Sequence, residues 1–234
     1  MPDGGEPDPL AESLAVRLLP ILDQVLGFTR SANTRMSVLG DGQPIPMMSY
    51  GLVEYLMSLD LSGSDILEVG GGQSTRFWLG RARSVRTIEH VAAWLPDPAE
   101  YPNFVPVPVT PDGYPQAIRA QPGPFDLVVL DCAANRYECA LPCADQLRPG
   151  GAIILDNSDW HPNTAARLRE RDLIQVDFPD FRPQHATRAT ASLFLHRDFR
   201  PIPLGPALPL PALGGVDDAA MNAWDHPADY RKKS

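Results

Sequence analysis

A chain of 234 residues is long enough for one α/β domain with a substantial core. Its 44% hydrophobic and 21% charged residues are ordinary for a globular protein, and its formal charge of −9 argues against a nucleic-acid partner. No apolar run approaches the roughly 18–20 residues that span a bilayer, and the acidic, proline-rich start is unlike a secretory signal. The expectation is a cytoplasmic protein with no membrane partner.

In chain order, residues 1–9 are expected to be disordered. Apolar residues recur at helical spacing from Leu10 to about Phe28, and Pro20 should kink or split that helix. Ser31 to Gly42 reads as loop, and Met47 to Met57 as a helix. Regular βα alternation follows, the mark of a mostly parallel sheet. Strands are expected at Asp65–Val69, Val85–Glu89, Phe104–Val109, Asp126–Leu130 and Ala152–Leu155. Helices are expected at Ser74–Arg83, Glu138–Leu147 and Asn163–Arg171, with Arg148-Pro-Gly-Gly151 as the stop signal of the second. Leu173–Phe178 and Ala191–His196 read as a closing antiparallel pair. This divides the chain into a helical and loop segment over 1–43, a main domain over 44–200 and a proline-rich tail over 201–234. The tail should wrap the domain or be partly disordered. Cys132, Cys139 and Cys143 read as small core residues rather than a zinc site.

The first strand breaks into Gly70-Gly-Gly72, a turn through which a ligand can approach the backbone closely. A dinucleotide fingerprint would need a third glycine, and the chain continues instead with Gln73, Ser74 and Thr75. Glu68 precedes the turn, where a carboxylate would repel a pyrophosphate and favour a sulfonium or ammonium. Glu89 ends the next strand, where it can accept hydrogen bonds from both hydroxyls of a ribose.

Glu68-x-Gly70-x-Gly72, the acid Glu89 and the Arg148-Pro-Gly-Gly151 turn before a late strand resemble the class I S-adenosylmethionine (SAM)-dependent methyltransferases. The resemblance spans about residues 44–196. It implies an α/β, Rossmann-like, mostly parallel seven-stranded sheet with helices on both faces and the last strand antiparallel. It implies SAM as cofactor, with Glu68 and Gly70, Gly71 and Gly72 bordering its methionine end and Glu89 on its ribose. Ser74 stands where the family usually has another glycine.

Methyl transfer requires alignment of the acceptor atom and, for a hydroxyl, removal of its proton. Asp131 and the Asp156-Asn157 pair follow successive strands, where such groups would sit. This set is similar to the metal site of magnesium-dependent catechol and caffeoyl-CoA O-methyltransferases, which makes Asp131, Asp156 and Asn157 candidate Mg²⁺ ligands. The lysine that those enzymes carry three residues after the first aspartate is Ala134 here. A metal-free alternative uses His161 or Asp159 as general base, with Trp160 as an apolar wall. Asp131 is a candidate catalytic residue and, alternatively, a candidate contact to the cofactor. Met47, Met48 and Tyr50 are candidates for the acceptor pocket or for a packed helix start.

The expected activity is methyl transfer to an oxygen of a small molecule or glycan, with a homodimer as an open expectation. A non-catalytic SAM-binding protein and a nicotinamide-dependent oxidoreductase are the alternatives.

Overall fold

A computed structural model describes residues 9–205 and 212–215. The expectation for residues 1–9 lies, but for Pro9, outside the described residues, as does most of the tail.

Helix α1 (Pro9–Pro20) passes into one π-helical turn over Ile21–Val25. The change falls at Pro20, which lacks the N–H that an α-helical bond would need. Helix α2 (Phe28–Thr34) occupies part of the stretch expected as loop. It is bracketed by Gly27 and Arg35, both in left-handed conformation. Helix α3 (Tyr50–Met57) ends where the sheet begins.

The sheet is built from β1 (Asp65–Val69), β2 (Ser84–Glu89), β3 (Phe104–Pro108), β4 (Phe125–Leu130), β5 (Leu147–Leu155), β6 (Ile174–Arg182) and β7 (His185–Leu195). Their order is β3-β2-β1-β4-β5-β7-β6. Strands β3 to β5 run parallel, and β7 is antiparallel to both β5 and β6. The expected seven-stranded, mostly parallel architecture is thus present. Pro106 and Pro108 are accommodated because β3 is an edge strand. Helices α4 (Gln73–Leu79), α5 (Tyr114–Arg119), α6 (Arg136–Asp145) and α7 (Pro162–Arg169) complete the alternation.

Strand β1 is buried from Ile66 to Val69, as a central parallel strand must be. Ile66 packs on one face with Leu52, Leu56 and Trp78, while Leu67 and Val69 pack on the other with Ile118 and Ala140. Helices therefore cover both faces. Cys132, Cys139 and Cys143 are buried free thiols in the second cluster.

Three local expectations need correction. Arg148–Gly151 is the first part of β5 rather than a turn, with the register shift between Phe125 and Leu127 absorbing Gly150 at φ +81°. Helix α5 was not expected; Pro115 stands in its first turn, where proline is well placed. The last two strands are longer than expected and meet in a hairpin at residues 183–184. Only Ser192–Leu195 of β7 pair with β5, so the rest of the hairpin extends past the sheet.

The described part of the tail lies along the end of α3: the Leu204 amide donates to the Ser58 carbonyl, and the Leu213 amide to Glu54 Oε2. Among the described residues, no helix is long and apolar enough to cross a membrane.

Candidate active site

The glycine turn is held from beneath by Glu68. This carboxylate is fully buried and accepts four hydrogen bonds. Ser74 Oγ (2.6 Å) and Trp78 Nε1 (3.1 Å) reach Oε1; Thr75 Oγ1 (2.6 Å) and Thr87 Oγ1 (2.8 Å) reach Oε2. Burial pushes its pKa up to about 7, against the pull of the three hydroxyls. Thr75 Oγ1 also accepts from the Gly72 amide at 3.1 Å, which ties the turn to the first turn of α4. Ser74 thus has a reason to replace glycine: its hydroxyl is one of the donors that make this burial tolerable.

Glu68 does not line the adjacent cavity, so the charge argument that set it beside a sulfonium does not hold. Gly70 is forced by geometry, since its φ is +97° and a Cβ there would lie 2.4 Å from the Cys132 amide nitrogen. A Cβ on Gly71 would meet Thr87 Cγ2 at 2.6 Å, whereas one on Gly72 would meet nothing within 4 Å.

Glu89, at the end of β2, is 2% exposed and borders the cavity. Its Oε2 accepts from the Gly71 amide (2.9 Å) and the Tyr114 hydroxyl (3.2 Å), and its Oε1 from the Val91 amide (2.7 Å). His90 Nδ1 lies 3.0 Å from Oε1 and 2.9 Å from the Tyr114 oxygen. Burial and the Glu89 charge both push the Tyr114 phenol up, so it remains a donor.

The cavity has a volume of about 610 Å³ and opens at the C-terminal ends of the parallel strands. Gly71, Gly72, Gln73, Ser74 and Glu89 line one end. Asp131, Arg136, Asp156, Asn157, Trp160 and Arg182 line the other. Strands β2, β1, β4 and β5 are neighbours in that order, so a spacing of about 4.8 Å sets the two ends roughly 14 Å apart.

Arg136 organises the far end. Its Nε donates to the Cys132 carbonyl (2.7 Å), Nη1 to the Asp156 carbonyl (2.5 Å), and Nη2 to Asp131 Oδ1 (2.6 Å) and carbonyl (3.2 Å). Burial raises the Asp131 carboxyl, while Arg136 pulls it back. Burial and the neighbouring Asp131 hold Asp156 well above the usual carboxylate range. In the amide orientation that satisfies both partners, Asn157 donates to Asp156 Oδ2 (2.9 Å) and accepts from Arg182 Nη1 (3.2 Å).

This donor set does not fit Mg²⁺. A guanidinium already neutralises Asp131, Asp156 is held towards its protonated form, and a second guanidinium stands over Asn157. Among the described residues, no group of three or more His, Cys, Asp or Glu is arranged to hold a metal ion. The expectation of Asp131, Asp156 and Asn157 as ligands is corrected accordingly.

His161 and Asp159 do not line the cavity. His161 stands at the start of α7, its pKa lowered by burial and by Arg136. Asp159 Oδ1 instead accepts from the Thr190 amide at 3.2 Å. Met47 does line the cavity, while Met48 and Tyr50 are core residues at 1% and 2% exposure.

The cavity also contains residues that were not singled out from the sequence, among them Met36, Gln73, Arg76, Trp94, Arg182 and His185. Arg182 and His185 flank the tip of the β6–β7 hairpin. The signal available was the pair Pro183-Gln184 between two runs of strand-forming residues, which marks a turn and hence places both neighbours at one end.

Strand order, the antiparallel β7 and a cavity over the strand ends define a Rossmann-like methyltransferase fold. The chain is similar in structure to precorrin-6y C5,15-methyltransferase from Geobacter metallireducens GS-15, at 10% identity and a TM-score of 0.50, covering 70% of this chain and 96% of that one. It is also similar to the N-methyltransferase NodS from Bradyrhizobium japonicum WM9 (13% identity, TM-score 0.45, 61% and 92%). A third likeness is to the fibrillarin pre-rRNA processing protein of Methanococcus jannaschii (17% identity, TM-score 0.47, 64% and 75%). No protein-family model matches the sequence, and no curated protein matches it.

Proposed function

We propose that the protein is a SAM-dependent methyltransferase that methylates an oxygen of a small molecule or sugar. The observation that carries this reading is the single cavity joining the glycine turn and Glu89 to Asp131 across β1 and β4. Its volume falls within the roughly 300–1,000 Å³ of small-molecule sites. The likeness to a precorrin methyltransferase supports the fold part of the reading.

SAM, when bound, supplies a methyl group already activated on sulfur. Gly71 and Gly72 leave the backbone open to it, and Glu89 would hold its ribose. The Tyr114 contact, at 3.2 Å, is the longest that Glu89 makes and the readiest to yield to a ribose hydroxyl. Asp131 is the group proposed to take the acceptor proton. Arg136 occupies its Oδ1, no hydrogen bond from the described residues reaches Oδ2, and burial brings its pKa closer to that of a working base.

The nicotinamide alternative loses one objection, because buried Glu68 no longer confronts a pyrophosphate. It keeps another, the missing third fingerprint glycine, and the sheet adds one more: a dinucleotide-binding sheet has the order 3-2-1-4-5-6, whereas here β7 is inserted antiparallel between β5 and β6.

Calorimetric titration with SAM and NAD separately is the test. SAM is expected to bind and NAD not to; the opposite result overturns the reading. Binding of SAM without turnover of any hydroxylated acceptor would leave a binding protein of this fold.

A further inference from the structure

A buried guanidinium is costly unless anions or carbonyls surround it, since it brings five donors and a full charge out of water. The two arginines at the far end of the cavity meet this demand differently. Arg136 gives every nitrogen a partner. Arg182 is 8% exposed, yet its Nε has no partner among the described residues, and its one polar contact is the Asn157 amide at 3.2 Å. No carboxylate of the described residues forms an ion pair with it. Its Cζ lies 5.2 Å from the centre of the Trp160 ring, which orients the group without satisfying its hydrogen bonds.

We propose that the methyl acceptor carries a carboxylate on a flat apolar body, and that Arg182 binds the carboxylate while Trp160 receives the body. This rests on the methyltransferase reading above and names the acceptor class for that site.

The position of Arg182 assigns it to the acceptor rather than to the donor. It contacts Asn157 and Trp160, which follow β5, while Glu89 and the glycine turn follow β2 and β1. Another cation of the lining, Arg76, stands on α4, the helix that starts at the glycine turn. Asp131 and Asp156 lie near enough for Arg182 to lower the pKa of each, but Asp131 is hydrogen-bonded to Arg136 and neither carboxylate forms an ion pair with Arg182.

The carboxylate is favoured over a phosphate because one cation faces it. His185, the other titratable group at the hairpin tip, has its pKa lowered by burial and by Arg182, and adds no second charge near neutrality. The apolar body follows from Trp160 and Met47, which remain 60% and 36% exposed at the cavity wall. A flat ring against an indole and an adaptable thioether is a favourable contact.

The experiment is calorimetric titration of the full chain, loaded with S-adenosylhomocysteine, against 4-hydroxybenzoate and its neutral isostere 4-hydroxybenzamide. A hydrogen-bonded charge pair predicts that benzoate binds about 10- to 100-fold more tightly. Arg182→Gln should bring the two affinities together while leaving S-adenosylhomocysteine binding within about threefold, and Arg182→Lys should restore part of the difference. Equal affinities in the unmodified chain, or no binding of either probe, overturn the proposal without reliance on any variant. So does an Arg182→Gln variant that loses S-adenosylhomocysteine as strongly as benzoate, because the arginine would then serve the donor. If S-adenosylhomocysteine itself fails to bind the unmodified chain, the methyltransferase reading falls, and the same pair of probes on the unloaded chain still decides whether Arg182 takes a carboxylate.

Discussion

Gln184, at the tip of the β6–β7 hairpin, donates from Nε2 to Gln73 Oε1 at 3.0 Å and to Ser37 Oγ at 2.9 Å. Gln73 is the first residue of α4, and it donates in turn to the Arg35 carbonyl at 2.8 Å. Three segments remote in sequence therefore meet at one amide beside the glycine turn.

This junction predicts a kinetic effect. Gln184→Ala removes two neutral, partly exposed hydrogen bonds, worth about 0.5–1 kcal/mol each. Stability should fall by about 1–2 kcal/mol, while release of S-adenosylhomocysteine should speed up severalfold. Stopped-flow displacement measures this directly; an unchanged off-rate would mean that the junction plays no part in retention.

Glu68 predicts a pH dependence of stability. Its pKa is raised from 4.5 to about 7 in the folded chain, so the folded state binds the proton more tightly than the unfolded one. The stabilisation is therefore complete below about pH 4.5 and is lost as pH rises towards 7, by about 3 kcal/mol. Glu68→Gln should flatten that part of the profile, and Glu68→Ala, which strands the Trp78 N–H and three hydroxyls, should destabilise at every pH. Urea unfolding from pH 4.5 to 8 checks both. A profile identical in the unmodified chain and the glutamine variant counts against a raised pKa.

Glu89→Ala removes the carboxylate that the Gly71 and Val91 amides share. Loss of charge-assisted bonds should weaken SAM binding at least about tenfold and abolish most of the thermal shift that SAM produces. A shift of undiminished size would remove Glu89 from the cofactor site.

Asp131→Asn keeps the shape of the residue and its contact to Arg136 but not its basicity. Turnover should fall by about 10²- to 10⁴-fold with S-adenosylhomocysteine affinity preserved. Because guanidinium groups occupy the places a cation would take, activity should also be unaffected by a chelator. Loss of activity in chelator, restored by Mg²⁺, would reinstate the metal.

Much of the fold was legible because its strands obey one rule. Leu127–Leu130 and Ala152–Leu155 are buried and apolar throughout, Ile66–Val69 is so apart from Glu68, and β2 and β4 each lead to an acid over the cavity. Glu89 and Asp131 were found for that reason. Glu68 was read as a ligand contact because nothing in a linear sequence shows that Ser74, Thr75, Trp78 and Thr87 converge on one carboxylate. Arg182 escaped for a related reason: it lies in a strand of mixed pattern, and its importance arises only where the hairpin folds back over Trp160. His161 and Asp159 were adjacent in sequence to cavity residues, but the turn at Asn157, with φ +51°, sends the chain away from the cavity after Trp160.

The overhanging hairpin has a consequence for how such a protein can diversify. Arg182 and His185 sit on a local two-stranded unit whose β7 residues before Ser192 make no ladder with β5. Exchanging that unit, from about Phe178 to Ala191, would replace Arg182, the group proposed to bind the acceptor's carboxylate, and with it the Gln184 contact to Gln73. On the proposed reading the acceptor's charged end is thus met by a peripheral hairpin, whereas Asp131 and Trp160 stay with the loops that follow β4 and β5.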